Sequence, residues 1–324
     1  MRTILVLTCL LLVMPGRAEL SQAKVSLHLI GNYTPGARQV VAAGPRVLKV
    51  LDLHGPMLEA LRDYKTRHPQ GLTVLRVYTQ HSYPRDADPA ASGRDYWETA
   101  LEPALDRLEP RDRALIDYVE GPNECEPYPI WESVETAAWT ARFWQALAPL
   151  IALGGFRPCV SNIPVGNPPG TPEEIREKLL AFAPGLFAAH KAKGCWSYHA
   201  YSLVYGTDVN EEFWTSLRYR MLHYMLAAKH PELAAMPLII TEAGIDFRGS
   251  PREDGWQARG DAAKFQDWLR WFDARLREDS YVRGATLFQC GDATGWPSFE
   301  TEPINAWLAD YLISQRQRVL PATP

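Results

Sequence analysis

The chain has 324 residues, a hydrophobic fraction of 46% and a formal net charge of -4. That is enough apolar material for one large core, and a mildly acidic chain without a basic block argues against a nucleic-acid partner. Beyond residue 20 the cysteines, Cys125, Cys159, Cys195 and Cys290, are widely spaced with no CxxC pair, which argues against a structural zinc site and leaves disulfide pairing open.

The first element is an export signal over residues 1–23. Arg2 supplies the positive start, Ile4–Met14 the apolar stretch, and Pro15, Gly16 and Ala18 the breaker and small residues, with cleavage expected after about Ala18 or Ala23. The apolar run is shorter than the roughly 20 residues of a membrane span, so the expectation is a secreted or periplasmic protein without one. Short apolar runs then alternate with amphipathic stretches. The runs are Val25–Ile30, Val47–Leu51, Leu72–Tyr78, Leu115–Val119, Pro158–Ile163, Cys195–His199, Pro237–Ile240 and Ala285–Phe288. Each is bounded by Gly, Pro, Asn or Asp, as buried parallel strands are. Helical spacing marks Met57–Arg67, Tyr96–Leu108, Trp131–Leu150, Pro172–Lys193, Glu211–Lys229, Asp261–Glu278 and Ala306–Gln315, while Thr34–Pro45 gives no clear helix. Eight strand–helix alternations predict one α/β domain, a (β/α)8 TIM barrel over residues 24–315, followed by a disordered tail at 316–324. An open doubly wound sheet is the alternative. No glycine-rich phosphate loop follows any strand, so no nucleotide cofactor is expected.

In a barrel the reactive groups lie where strands end. The fourth run continues into Gly121-Pro122-Asn123-Glu124 and the seventh into Thr241-Glu242. Each places a carboxylate beside an apolar strand, where burial is costly unless the charge has a partner or a use. Two carboxylates facing one cleft are what glycosidic-bond hydrolysis needs: one protonates the leaving oxygen, the other attacks the anomeric carbon or activates water. Two unrelated loop acids are the plain alternative. The sixth run carries His199 and Tyr201 two residues apart, hence on one strand face. Arg76 stands inside an otherwise apolar third run, where a guanidinium wants a carboxylate. Lys49, in the second run, competes with it for that place. Trp296 follows the eighth run and suits either a sugar face or loop packing.

The Asn123-Glu124 pair after the fourth strand and Glu242 at the seventh resemble the clan A glycoside hydrolases, which are retaining (β/α)8 enzymes. That resemblance implies Glu124 as general acid/base, Glu242 as nucleophile and Asn123 as a ligand of the sugar 2-hydroxyl. It further implies His199 or Tyr201 as a hydrogen-bond partner of the nucleophile, Arg76 beside it, and Trp296 as a floor under the sugar. The comparable arginine in that group usually follows the second strand, which keeps Lys49 in play. The expected reaction is double displacement on a β-linked oligo- or polysaccharide, with no cofactor and no metal. Two rivals stand beside it. One is a catalytically silent sugar-binding barrel. The other is a metal-dependent hydrolase using His28, His54 and His81, although no HxH pair occurs on the first strand.

Overall fold

A computed structural model describes residues 19–124, 128 and 130–316. The expected signal up to residue 18, the tail from residue 317 and Cys125 lie outside the described residues. Eight strands close into a parallel barrel in sequence order. They are β1 (Val25–Leu29), β2 (Val47–Leu51), β3 (Leu72–Arg76), β4 (Tyr118–Glu120), β5 (Arg157–Ile163), β6 (Cys195–Ser202), β7 (Leu238–Ile245) and β8 (Val282–Cys290). The principal helices between and after them are α1 (Pro35–Ala42), α2 (Gly55–Arg67), α3 (Pro89–Tyr96), α4 (Val134–Leu153), α5 (Pro172–Lys191), α6 (Tyr219–Lys229), α7 (Ala262–Glu278) and α8 (Glu302–Ser314). The architecture is the expected (β/α)8 barrel.

Several boundaries differ from the sequence reading. A helix does fill Thr34–Pro45: Thr34 caps α1 by accepting from the Ala37 amide at 3.1 Å, and Pro35 occupies its first turn. Asp88 likewise caps α3 well before Tyr96 by accepting from the Ala91 amide. The stretch Glu211–Lys229 breaks in two, Val209–Glu212 and then α6. Its breakpoint is Glu212, a buried carboxylate that accepts from the hydroxyls of Ser202, Thr215 and Ser216. The fourth strand starts three residues later than expected, at Tyr118, and β6, β7 and β8 run past the apolar stretches to Ser202, Ile245 and Cys290. Those extensions carry polar side chains that apolar periodicity does not detect.

Strand alternation sorts side chains into two cores. Leu48, Val50, Leu75, Val119, Trp196, Tyr198 and Ile240 face outward and pack with the helices. Val47, Val74, Tyr118, Cys159, Cys195 and Ile239 face inward and plug the end of the barrel where the strands begin. Above this floor the interior turns polar: His28, Lys49, Glu120, Ser197 and His199 are all fully buried. Cys159, Cys195 and Cys290 are buried free thiols.

Candidate active site

Each interior row climbs by two residues along its strand. On β2 Val47 lies in the floor, Lys49 above it, and Leu51 in the upper cavity. On β3 the row is Val74 then Arg76, and on β4 Tyr118 then Glu120. β7 breaks the rule. Simple alternation would face Thr241 inward with Ile239, yet the pairing slips between Ile240 and Ala243 against β8. A bulge there re-aims the next side chain, and Glu242 enters the barrel opposite His199, its register partner on β6.

Glu242 sits at the centre of a buried charge network. Its Oε1 lies 3.3 Å from Lys49 Nζ, 3.3 Å from Arg76 and 3.7 Å from His28 Nδ1. Its Oε2 accepts a 2.9 Å hydrogen bond from the Tyr201 hydroxyl and lies 3.6 Å from His199 Nδ1. Burial alone would raise the pKa of this carboxyl, but His199, Lys49, His28 and Arg76 overcome that and hold it far below the ordinary carboxylate range. His28 is itself pushed well below its ordinary pKa, by burial and then by the Lys49 charge. Lys49 and Arg76 both stand within ion-pair distance of Glu242 Oε1. Burial, followed by the Glu242 charge, drives the Tyr201 hydroxyl well above its ordinary value, which keeps it a donor. Lys49 also pairs with the fully buried Glu120, Nζ to Oε2 at 2.9 Å. Two cations thus face two carboxylates in the barrel interior, a balance that buried charge requires.

Glu124 approaches from the loop after β4, in a left-handed backbone conformation with φ 45°. Its side chain is 36% exposed against 8% for Glu242. His199 Nδ1 lies 2.7 Å from Glu124 Oε1 and, on its other side, 3.6 Å from Glu242 Oε2. Because one nitrogen contacts both, those two oxygens are at most about 6.3 Å apart, the sum of the two distances.

The cavity above them measures about 510 Å³. Asn123, Glu124, Arg76, Tyr201, Glu242 and Trp296 all line it, and His199 is buried directly beneath, so the seven expected site residues converge. The Asn123 side-chain oxygen is buried with no protein partner, a free acceptor beside the cavity. Trp296 packs edge-on against Phe288 at 5.1 Å and Phe299 at 5.5 Å, which holds its ring in the cavity wall. The competition between Arg76 and Lys49 resolves as both: neighbouring strands deliver them to the same oxygen. Sequence reasoning misses Glu120, although an acid closing an apolar run is a visible signal. His28, His54 and His81 do not converge. His28 lies beside Glu242, His54 is exposed ahead of α2, and His81 pairs with the Thr99 hydroxyl at 2.9 Å. Among the described residues no group of three or more His, Cys, Asp or Glu side chains is arranged to hold a metal ion.

No protein-family model matches the sequence, and no curated protein matches it. Solved structures do match. A fungal β-1,4-galactanase shares 10% identity at a TM-score of 0.51, over 81% of this chain and 88% of its own. An endo-β-1,3-glucanase from Sorangium cellulosum shares 16% identity at a TM-score of 0.49, over 91% of this chain and 100% of its own. A β-mannanase from Streptomyces thermolilacinus, solved with mannohexaose, shares 15% identity at a TM-score of 0.47, over 93% and 96%. At 10% identity the likeness to the galactanase is one of fold, the (β/α)8 barrel.

Proposed function

We propose that this chain is an exported retaining glycoside hydrolase acting on a β-linked oligo- or polysaccharide. The observation that carries the reading is the single imidazole nitrogen shared by Glu124 and Glu242. It caps their oxygen separation at about 6.3 Å. Retaining enzymes hold their carboxyls about 5–5.5 Å apart, and inverting ones need about 6.5–9.5 Å to admit a water. The asymmetry of the pair adds support. Glu242 is buried, ionised and braced by Lys49, Arg76 and Tyr201, as a nucleophile must be. Glu124 is partly exposed on a loop, where it can exchange protons with solvent.

In the first step Glu242 Oε attacks the anomeric carbon as its bond to the leaving oxygen breaks, and Glu124 gives that oxygen a proton. In the second, water attacks the same carbon, its proton passes to Glu124, and the bond to Glu242 breaks. The unpartnered Asn123 oxygen accepts from a sugar hydroxyl, and Trp296 offers an apolar face to the ring. Neither step calls for a cofactor.

The test is NMR of the first-formed hemiacetal during hydrolysis of a β-glycan panel. Retention of anomeric configuration, with reducing-end release abolished by Glu242→Ala, is the expected result. Inversion would remove the nucleophile role from Glu242. Glycan binding with no new reducing ends would favour a silent binding barrel.

A further inference from the structure

At the opposite mouth, where the strands begin, a second cavity of about 530 Å³ opens between the αβ loops. The plug of Val47, Val74, Tyr118, Cys159, Cys195 and Ile239 separates it from the cavity holding Glu124 and Glu242. Arg46, Arg157, Lys193 and Arg283 line it, and no acidic residue does. Arg46 and Arg283 also line an adjoining cavity of about 370 Å³ with Lys24 and Arg277, again without an acid in the lining. This concentration of cations stands on a chain whose net charge is -4.

Arg157 pairs with Asp117 at 2.8 Å and Arg277 with Asp273 at 3.6 Å, but the other cations are not neutralised by an acid among the described residues. Arg46 is half-buried and donates only to neutral acceptors, the Ser21 carbonyl at 2.9 Å and the Gln22 side-chain oxygen at 2.7 Å. Arg283 has no acidic partner among the described residues. Lys24 Nζ donates to the carbonyls of Leu276 and Asp279. The nearby carboxylates are already engaged. Asp117 serves Lys65 and Arg157 together, Asp279 pairs with Arg220, and Asp273 accepts from the Lys24 amide and the Tyr311 hydroxyl and pairs with Arg277. Burial lowers the Lys24 pKa to about 8, and Arg46 and then Arg283 add to that against the pull of Asp279 and Asp273. Lys24 and Arg46 are desolvated beside the exposed Arg283, and cations gathered this way raise one another's energy until an anion joins them.

We propose that this mouth is a binding site for a tetrahedral oxyanion, sulfate or phosphate, free or as the ester of a small saccharide. Planar guanidiniums present paired donors that match two oxygens of such a group. Several converging cations exceed what one carboxylate can satisfy, which favours a dianion. The cavity is larger than one ion, which leaves room for a small body attached to the oxyanion.

The experiment is calorimetric titration of the mature protein with sodium sulfate, sodium phosphate and glucose 6-phosphate, against glucose and against sodium chloride at matched ionic strength. One saturable site per chain for at least one of the three anions is expected, with no response to glucose or chloride. A tighter ester than free phosphate assigns the cavity to the saccharide body; equal affinity assigns it to the oxyanion alone. Arg283 is exposed and its side chain makes no hydrogen bond or ion pair among the described residues, so Arg283→Gln should keep the melting temperature. It should weaken the anion about tenfold or more, the worth of one charge-assisted hydrogen bond. Arg283→Glu should abolish binding. Glycan hydrolysis by Arg283→Gln should equal wild type, which keeps this site separable from the one containing Glu242. Absence of saturable binding by all three anions, or affinity unchanged in both Arg283 variants, would overturn the proposal.

Discussion

Lys49 is the residue through which the stability of the barrel and the ionisation of Glu242 are joined, and Lys49→Met tests both. Its ammonium is fully buried, 2.9 Å from Glu120 and 3.3 Å from Glu242. At these distances each attraction is worth roughly 5 kcal/mol with an effective dielectric of about 20, before desolvation is subtracted. Removing one partner of a buried pair costs about 3–5 kcal/mol, because the orphaned charges stay in the interior. For a domain of this size that lowers the melting temperature by roughly 5–8 °C. The pH dependence follows in sign. In the wild type the Glu242 pKa is depressed, so its contribution to stability is present above the ordinary carboxyl value and is lost as pH falls through the folded value. Without Lys49 that pKa rises, leaving His199, His28 and Arg76 to hold the charge. The acid limb of kcat on an aryl glycoside should therefore move up by about one pH unit or more, while added Glu120→Gln should restore part of the lost stability. Thermal melts and pH–rate profiles of the three proteins from about pH 2 to 8 decide it. An unchanged melting temperature with an unchanged acid limb in Lys49→Met would refute the network, and a double variant no more stable than the single one would refute the Lys49–Glu120 coupling.

Glu124→Gln should keep the fold and lower turnover of unactivated glycan about 10²–10⁴-fold, with a smaller loss in the first step on substrates bearing good leaving groups; wild-type turnover would remove the acid/base role. On the export proposed above, cleavage should fall after Ala18 rather than Ala23, because Ser21 bonds to the Leu312 carbonyl and the Gly44 carbonyl, Gln22 to the Gln315 carbonyl, and Ala23 is fully buried. N-terminal sequencing of the exported protein should then begin at Glu19, and a start at Lys24 would refute that placement.

The sequence by itself determined the architecture and most of the candidate site. Apolar runs at regular spacing located all eight strands, because buried parallel strands must be apolar on their outward faces to pack against helices. Strand ends then pointed to Glu124, Glu242, His199, Tyr201 and Arg76, and caps such as Thr34-Pro35 and Asp88-Pro89 carried the helix starts that hydrophobic periodicity missed. What only the tertiary structure decided is which face each polar strand residue takes and what it meets there. Strict alternation would send Glu242 outward; the bulge after Ile240 turns it in, and a bulge of one residue has no signature in the hydrophobic pattern. Lys49 and Arg76 read as rivals because they lie 27 positions apart on different strands, yet closure of the barrel brings both within 3.3 Å of one oxygen. The same closure gathers Arg46, Arg157 and Arg283, each inconspicuous in its own segment, around one cavity. Such convergence depends on strand register and barrel closure, which are properties of the whole set of pairings and of no single stretch of chain.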